Sequence, residues 1–132
     1  MSEKFLKKII SQNQEDLRVI SALCSEAKIK QADMKFLKKS KIFLISLLRE
    51  NKEKNHIKEK INSVLKFEFI EKTKSKNIDQ NDTKNVLELL AIESYKKENN
   101  YEIILLFSNN AIINLFCEVI ECTLEDMKLT ND

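Results

Sequence analysis

The chain has 132 residues, 23 basic and 21 acidic, and contains neither glycine nor proline. At ordinary usage of ~7% Gly and ~5% Pro about sixteen of the two together are expected, so collagen-like repeats, glycine-rich phosphate cradles and low-complexity linkers are excluded. Three cysteines without a CxxC pair do not make a disulfide framework, and a net charge of +2 is too small for a committed nucleic-acid or membrane binder.

Residues 1–12 are lysine-rich, carry no apolar stretch long enough for a signal peptide, and are expected to fray, as are 128–132, leaving a single domain over 1–132. Asn13 to Ala27 predicts an amphipathic helix. Leu17, Ile20, Leu23, Cys24 and Ala27 recur at helical spacing, Asn13 suits the N-cap, and Glu15 and Asp16 occupy the first turn, where the dipole favours acids. Lys28 to Leu37 and Ile42 to Glu50 read as a hairpin broken at Lys38-Lys39-Ser40-Lys41, the second run being β-branched and aromatic. Asn51 to Lys60 is a charged loop. From Ile61 to Thr73 the side chains alternate. Ile61, Ser63, Leu65, Phe67 and Phe69 share one face, opposite Asn62, Lys66, Glu68 and Lys72, which predicts one half-buried antiparallel strand.

Lys74 to Asn85 is polar and reads as a long connection, while Val86 to Tyr95 suits strand or helix, its length favouring strand. Tyr101 to Phe107 and Ala111 to Cys122 are β-rich runs separated by Ser108-Asn109-Asn110. That is hairpin punctuation, with asparagine supplying the positive φ that glycine usually provides. Thr123 to Asp132 is acidic and reads as a short helix. The elements sum to an α+β domain: an N-terminal helix on a mainly antiparallel sheet of about six strands, curled as a roll or partly closed barrel, a pleckstrin-like barrel being one form. The missing glycines do not argue for an all-helical chain. Ala, the strongest helix former, occurs 5 times, whereas the AT-coded residues Lys, Ile and Asn number 21, 16 and 13, so an AT-rich genome accounts for the composition.

Candidate chemistry is sparse. His56 is the sole histidine and stands without Cys or carboxylate at ligand spacing, so no metal site is expected. Asp79-x-Asn81 begins like a calcium loop but lacks the sixth-position glycine and has Leu90 where the bidentate glutamate belongs. Cys24 and Cys117 fall on apolar faces and read as core packing, with Cys122 the least constrained. Glu118, Glu121 and Asp126 offer paired carboxylates, and Arg18 and Arg49 are the two arginines in a lysine-dominated chain, so Arg49 is a candidate bidentate partner for an acid. Lys52 to Lys76 holds eight lysines against four acids, interleaved with Phe67 and Phe69. If both phenylalanines face the core, this stretch is no base-stacking platform, and nucleic-acid binding is the weaker reading.

The runs EDLRVISALCSEAKIKQADM, IFLISLLRE, VLKFEFIEKTKSKNID and LLFSNNAIINLFCEVIECTLEDM, in that order, resemble a small bacterial family, mainly alphaproteobacterial, known as a domain of unknown function. The resemblance runs from Glu15 to Met127. It implies a cytoplasmic single-domain protein and assigns no activity. It also implies glycine where this chain has Asn77 and Asn109-Asn110, acids at Asp33, Glu118, Glu121 and Asp126, and an aromatic-rich strand end that is reduced here to Leu48-Arg49-Glu50.

These readings favour a non-enzymatic interaction or self-association module with no cofactor, no metal and no membrane contact. The candidate partner surface is Ile112, Phe116 and Ile120, the apolar residues on the second face of the last strand. An alternative is a small enzyme or ligand-binding domain using the polar cluster Asp33, Arg49, Glu118 and Glu121, and another is weak nucleic-acid binding through Lys52 to Lys76.

Overall fold

The computed structural model describes residues 7–51 and 59–129. Its elements in chain order are β1 (Lys8–Ser11), α1 (Gln14–Cys24), β2 (Ala27–Lys30), β3 (Met34–Leu37), β4 (Ile42–Glu50), β5 (Lys60–Phe67), β6 (Ile70–Lys76), β7 (Val86–Lys96), β8 (Tyr101–Phe107), β9 (Ile112–Cys117) and β10 (Cys122–Leu129). All strands join one antiparallel sheet in the order β1-β10-β5-β4-β2-β7-β8-β9-β6, with β3 pairing β4 beside β2. The sheet is not closed: its path ends on β1 and β6.

The helix forms where its cap and stripe place it. Asn13 Oδ1 accepts the Asp16 N–H at 2.8 Å, and Leu17, Ile20 and Cys24 are buried on one face. That face enters the core beside Ile45, Leu65, Phe67, Leu89, Leu105 and Leu115, all fully buried. The flank of that same face, one turn to either side of Leu17, finishes an incomplete edge. β7 pairs β2 only over 86–89, so the rest of that edge lacks a neighbouring strand. The helix supplies the missing partners: Ser21 Oγ accepts the Ile92 N–H at 2.8 Å, and Gln14 Nε2 donates to the Ser94 carbonyl at 3.1 Å.

The sheet has ten strands rather than about six, because three of them are only four residues long and leave too short a pattern to read. Residues 8–11, expected to fray, pair with β10. The long alternating run from Ile61 is two strands. Phe69, at φ 62°, turns the chain between β5 and β6 and is about half exposed, so it does not share the core face of Phe67. The connection expected from Lys74 starts only after Lys76, and Val86–Lys96 is a strand. The run after Ala111 stops at Cys117, leaving Glu118 to Glu121 as a connection, and the tail expected to be helical is β10. Most of the charged loop, including His56, lies outside the described residues.

In a chain without glycine, six described residues adopt positive φ: Glu26, Lys41, Phe69, Asn77, Asn109 and Asn110. The asparagines are the three positions the sequence marks as turns. Ser108–Asn110 is one 3-10 turn interrupted by Asn109 at φ 60°, ψ 30°, not a helix. Asn77 does more than tolerate its backbone angle, since its Nδ2 donates to the Asn110 carbonyl at 2.8 Å and links the β6 exit to the β8–β9 turn. Left-handed backbone costs a side chain with a branched Cβ about 1–2 kcal/mol. Asn109→Val should therefore lower stability by about that amount in denaturant titration while Asn109→Gly leaves it equal or higher; equal values for the two variants would contradict the strained-turn reading.

Candidate functional site

The inward face of β4 reads Phe43, Ile45, Leu47, Arg49, so the strand delivers a guanidinium to a buried position at its end. Register brings Ser63 of β5 opposite both Leu47 and Asp126, which places Arg49, Ser63 and Asp126 together across β4, β5 and β10. The contact is a two-point fork. Arg49 Nε donates to Asp126 Oδ1 at 3.1 Å and a terminal nitrogen donates to Oδ2 at 2.8 Å. Ser63 Oγ donates to Asp126 Oδ1 at 2.6 Å, and the Lys7 backbone N–H donates to Oδ2 at 3.0 Å. Both charged side chains are 1% exposed. Burial alone pushes the Asp126 carboxyl upward, but the hydrogen bonds from Arg49, Ser63 and Lys7 and the Arg49 charge outweigh it and hold the group below the ordinary carboxylate value. Acid and base saturate each other here, so this cluster joins strands and offers no free group to a substrate.

The four residues of the predicted polar cluster do not meet. Arg49 pairs with Asp126, not with Glu118 or Glu121. Asp33 is exposed at the rim of a 320 Å³ cavity with Lys28, Lys30 and Val86. Glu118 is exposed, and its charge adds to that of Glu71 in raising the Lys41 pKa. Glu121 is half-buried and accepts from Gln12 Nε2 at 3.2 Å. The sequence reading missed Ser63 and the role of Asp126, although a signal existed. An arginine on the buried parity of a strand requires a counter-charge on the buried parity of another, and treating the tail as helix hid that parity.

Ile112 and Phe116 point to the outer face of β9, whereas Ile120 is 4% exposed and belongs to the core. Opposite them on β6, register pairs Lys72 with Phe116, Lys74 with Asn114 and Lys76 with Ile112. The Lys72 and Lys74 ammoniums lie 5.0 and 5.8 Å from the Phe116 ring centre, within cation–π range. On the other side β8 sets Glu102 against Phe116, where it bonds Asn114 and Lys97. The helix packs against β7, β1 and β4 and leaves this face uncovered.

None of the three cysteines is in a disulfide and all are buried, including Cys122, which opens β10 with no exposure. Burial pushes the Cys117 thiol up to about 11 and raises Cys122 well above its ordinary value, with Cys24 adding to the latter. Neither is a thiolate at neutral pH. Among the described residues no group of three or more His, Cys, Asp and Glu could hold a metal ion.

The fold and this site define a class: an α+β domain on an open ten-stranded antiparallel sheet, locked by a buried arginine–aspartate fork and carrying a lysine-lined outer face. The chain belongs to the family described as protein of unknown function (DUF2948), which it matches over residues 7–131. No curated protein and no solved structure matches it.

Removing one partner of a buried pair costs about 3–5 kcal/mol, while replacing both with apolar groups is often neutral. Asp126→Asn should lose stability in that range, and Arg49→Met with Asp126→Leu should recover most of it; denaturant titration decides. Because the folded Asp126 pKa is depressed, its contribution is complete above the unfolded value of ~3.9 and is lost as pH falls through the folded value. The wild type should accordingly lose more stability than the double variant as pH falls below about 4, and parallel pH profiles would contradict this. With an uncharged thiol-reactive disulfide at pH 7.5, native protein should react at none of its three cysteines until unfolded.

Proposed function

We propose that this domain is a non-enzymatic interaction module that binds a protein with an acidic surface through the outer face of β6 and β9. The observation that carries the reading is the pair of lysines held over Phe116, beside half-buried Ile112 and exposed Lys76. Such a face combines apolar area with positive charge, the two features that select an acidic partner and speed its encounter. The same lysine row disfavours pairing between two copies, since like charges set opposite each other repel. Ile120 drops out of the partner surface because it is buried. An enzyme built on Arg49 with Glu118 or Glu121 loses its support, since the guanidinium fork is already filled by Asp126.

The reading takes the sheet as a roll, curled until β3 and β6 face each other. Its support is a groove lined from both strands and the Ile70 N–H donating to the Lys41 carbonyl at 2.8 Å. Buried thiols in no disulfide support a reducing, cytoplasmic setting. No helix among the described residues is long and apolar enough to cross a membrane.

Affinity chromatography of extract from the source cells on immobilised protein tests the proposal. Wild type should retain an acidic protein that Lys72→Glu/Lys74→Glu and Phe116→Ser columns, with folding verified by circular dichroism, do not. Equal retention on all three columns, or loss of retention after nuclease treatment, would overturn it, the second outcome favouring nucleic acid.

A further inference from the structure

Resting on that reading, we infer that the partner is held by strand addition: an extended segment of alternating acidic and apolar residues pairs with the free edge of β6. Among the described strands β6 pairs only β9, and β3 pairs only β4. These two unpaired edges face each other with opposite chain directions. At one end Ile70 N–H bonds the Lys41 carbonyl and the Lys41 ammonium meets Glu71 at 2.9 Å. At the other end Gln31, just before β3, holds the chain after β6, donating from its side chain to the Asp79 carbonyl at 2.6 Å and from its backbone to the Asn85 carbonyl at 2.8 Å. Between these two fastenings β3 and β6 share no ladder. A groove of about 180 Å³ separates them, its walls including Met34, Phe36, Thr73, Ser75 and Ile113.

A free strand edge is a template for another chain. Which chain it accepts is set by the side chains that alternate along it. Outward from the seam stand Lys35, Lys72, Lys74 and Lys76, all exposed, with Lys38 and Lys39 in the adjoining turn. The nearby acids are Glu71, already paired with Lys41, Glu118, close enough to raise the Lys41 pKa, Asp33, ahead of β3, Asp79, in the chain after β6, and Glu102, opposite Phe116 and already bonded to Asn114 and Lys97. Lys35, Lys38, Lys39, Lys74 and Lys76 have no ion pair with a described residue. An incoming strand therefore meets uncompensated positive charge on its outer side and the Met34–Phe36 groove on its inner side. Period two then calls for acidic residues alternating with apolar ones. Edge lysines alone would serve to block self-pairing, but blocking requires no groove behind the edge, and this edge has one of mixed lining whose apolar side chains include Met34, Phe36 and Ile113.

The test is a titration of isotope-labelled full-length protein with the peptide (Glu-Val)4, capped at both ends. Controls are the same peptide N-methylated at alternate residues and (Lys-Val)4. Strand addition predicts slowed amide exchange over residues 71–76, chemical-shift changes at Thr73 and Ser75, at least a ~tenfold loss of affinity on N-methylation through removal of two or more backbone hydrogen bonds, and no binding of the lysine peptide. Equal affinity of the N-methylated peptide, with shifts centred on Ile112 and Phe116, would overturn strand addition and leave the acidic-partner reading standing. Failure of (Glu-Val)4 to bind would also overturn it, while the three-column experiment decides separately whether the basic face binds a protein at all.

Discussion

A guanidinium buried at 1% exposure has to be neutralised, and that constraint organises one whole side of this domain. Arg49 fixes where Asp126 must lie, Asp126 binds Ser63 from the strand between them, and the Lys7 N–H brings the chain leading into β1 to the same carboxylate. The fork adds little net stability, because removing both charges from water consumes most of the attraction between them. Its effect is on register. Sliding β10 by one residue against β5 would turn Asp126 to the outer face and strand the guanidinium in the core. Alignments of β4, β5 and β10 that bury equal apolar area are thereby separated in energy.

The other half of the sheet is organised by what is left unpaired. β7 runs on beyond the end of β2, and side chains from α1 satisfy backbone groups along that edge, so the helix acts as a substitute strand as well as a source of apolar packing. β6 receives no such cover. The two edges thus end differently: one is sealed by Ser21 and Gln14, the other is tied at its start by the Ile70 N–H to the Lys41 carbonyl and is otherwise lined by lysines. Placing charge rather than a covering element on an edge keeps it soluble while leaving its backbone open to a chosen partner.

The parts of this architecture that follow from local patterns were legible. Asn13 and the Leu17–Ile20–Cys24 stripe predict α1, the alternation through Ile61, Ser63, Leu65 and Phe67 predicts β5, and asparagine in place of glycine marks the turns at Asn77 and Asn109. What was hidden lacks a local signal. Phe69 turns the chain with a positive φ that no phenylalanine advertises, so β5 and β6 read as one strand. β10 places an aspartate on its inward face, which breaks the apolar alternation that identifies a strand. Strands of four residues, such as β1 and β3, exist because neighbours hold them, not because their sequence demands it. The candidate site suffered for the same reason, since the acid that Arg49 needs is 77 positions away on a strand that does not look like one.

That separation bears on how the chain matures during synthesis. Arg49 emerges early and its carboxylate late, and β1 likewise waits for β10 before it has a strand to pair with. A nascent chain still lacking residues 122–129 would hold an uncompensated guanidinium at the end of its core and an unpaired edge on β5. The β4–β5 side of the core therefore cannot close before the last strand is available to it.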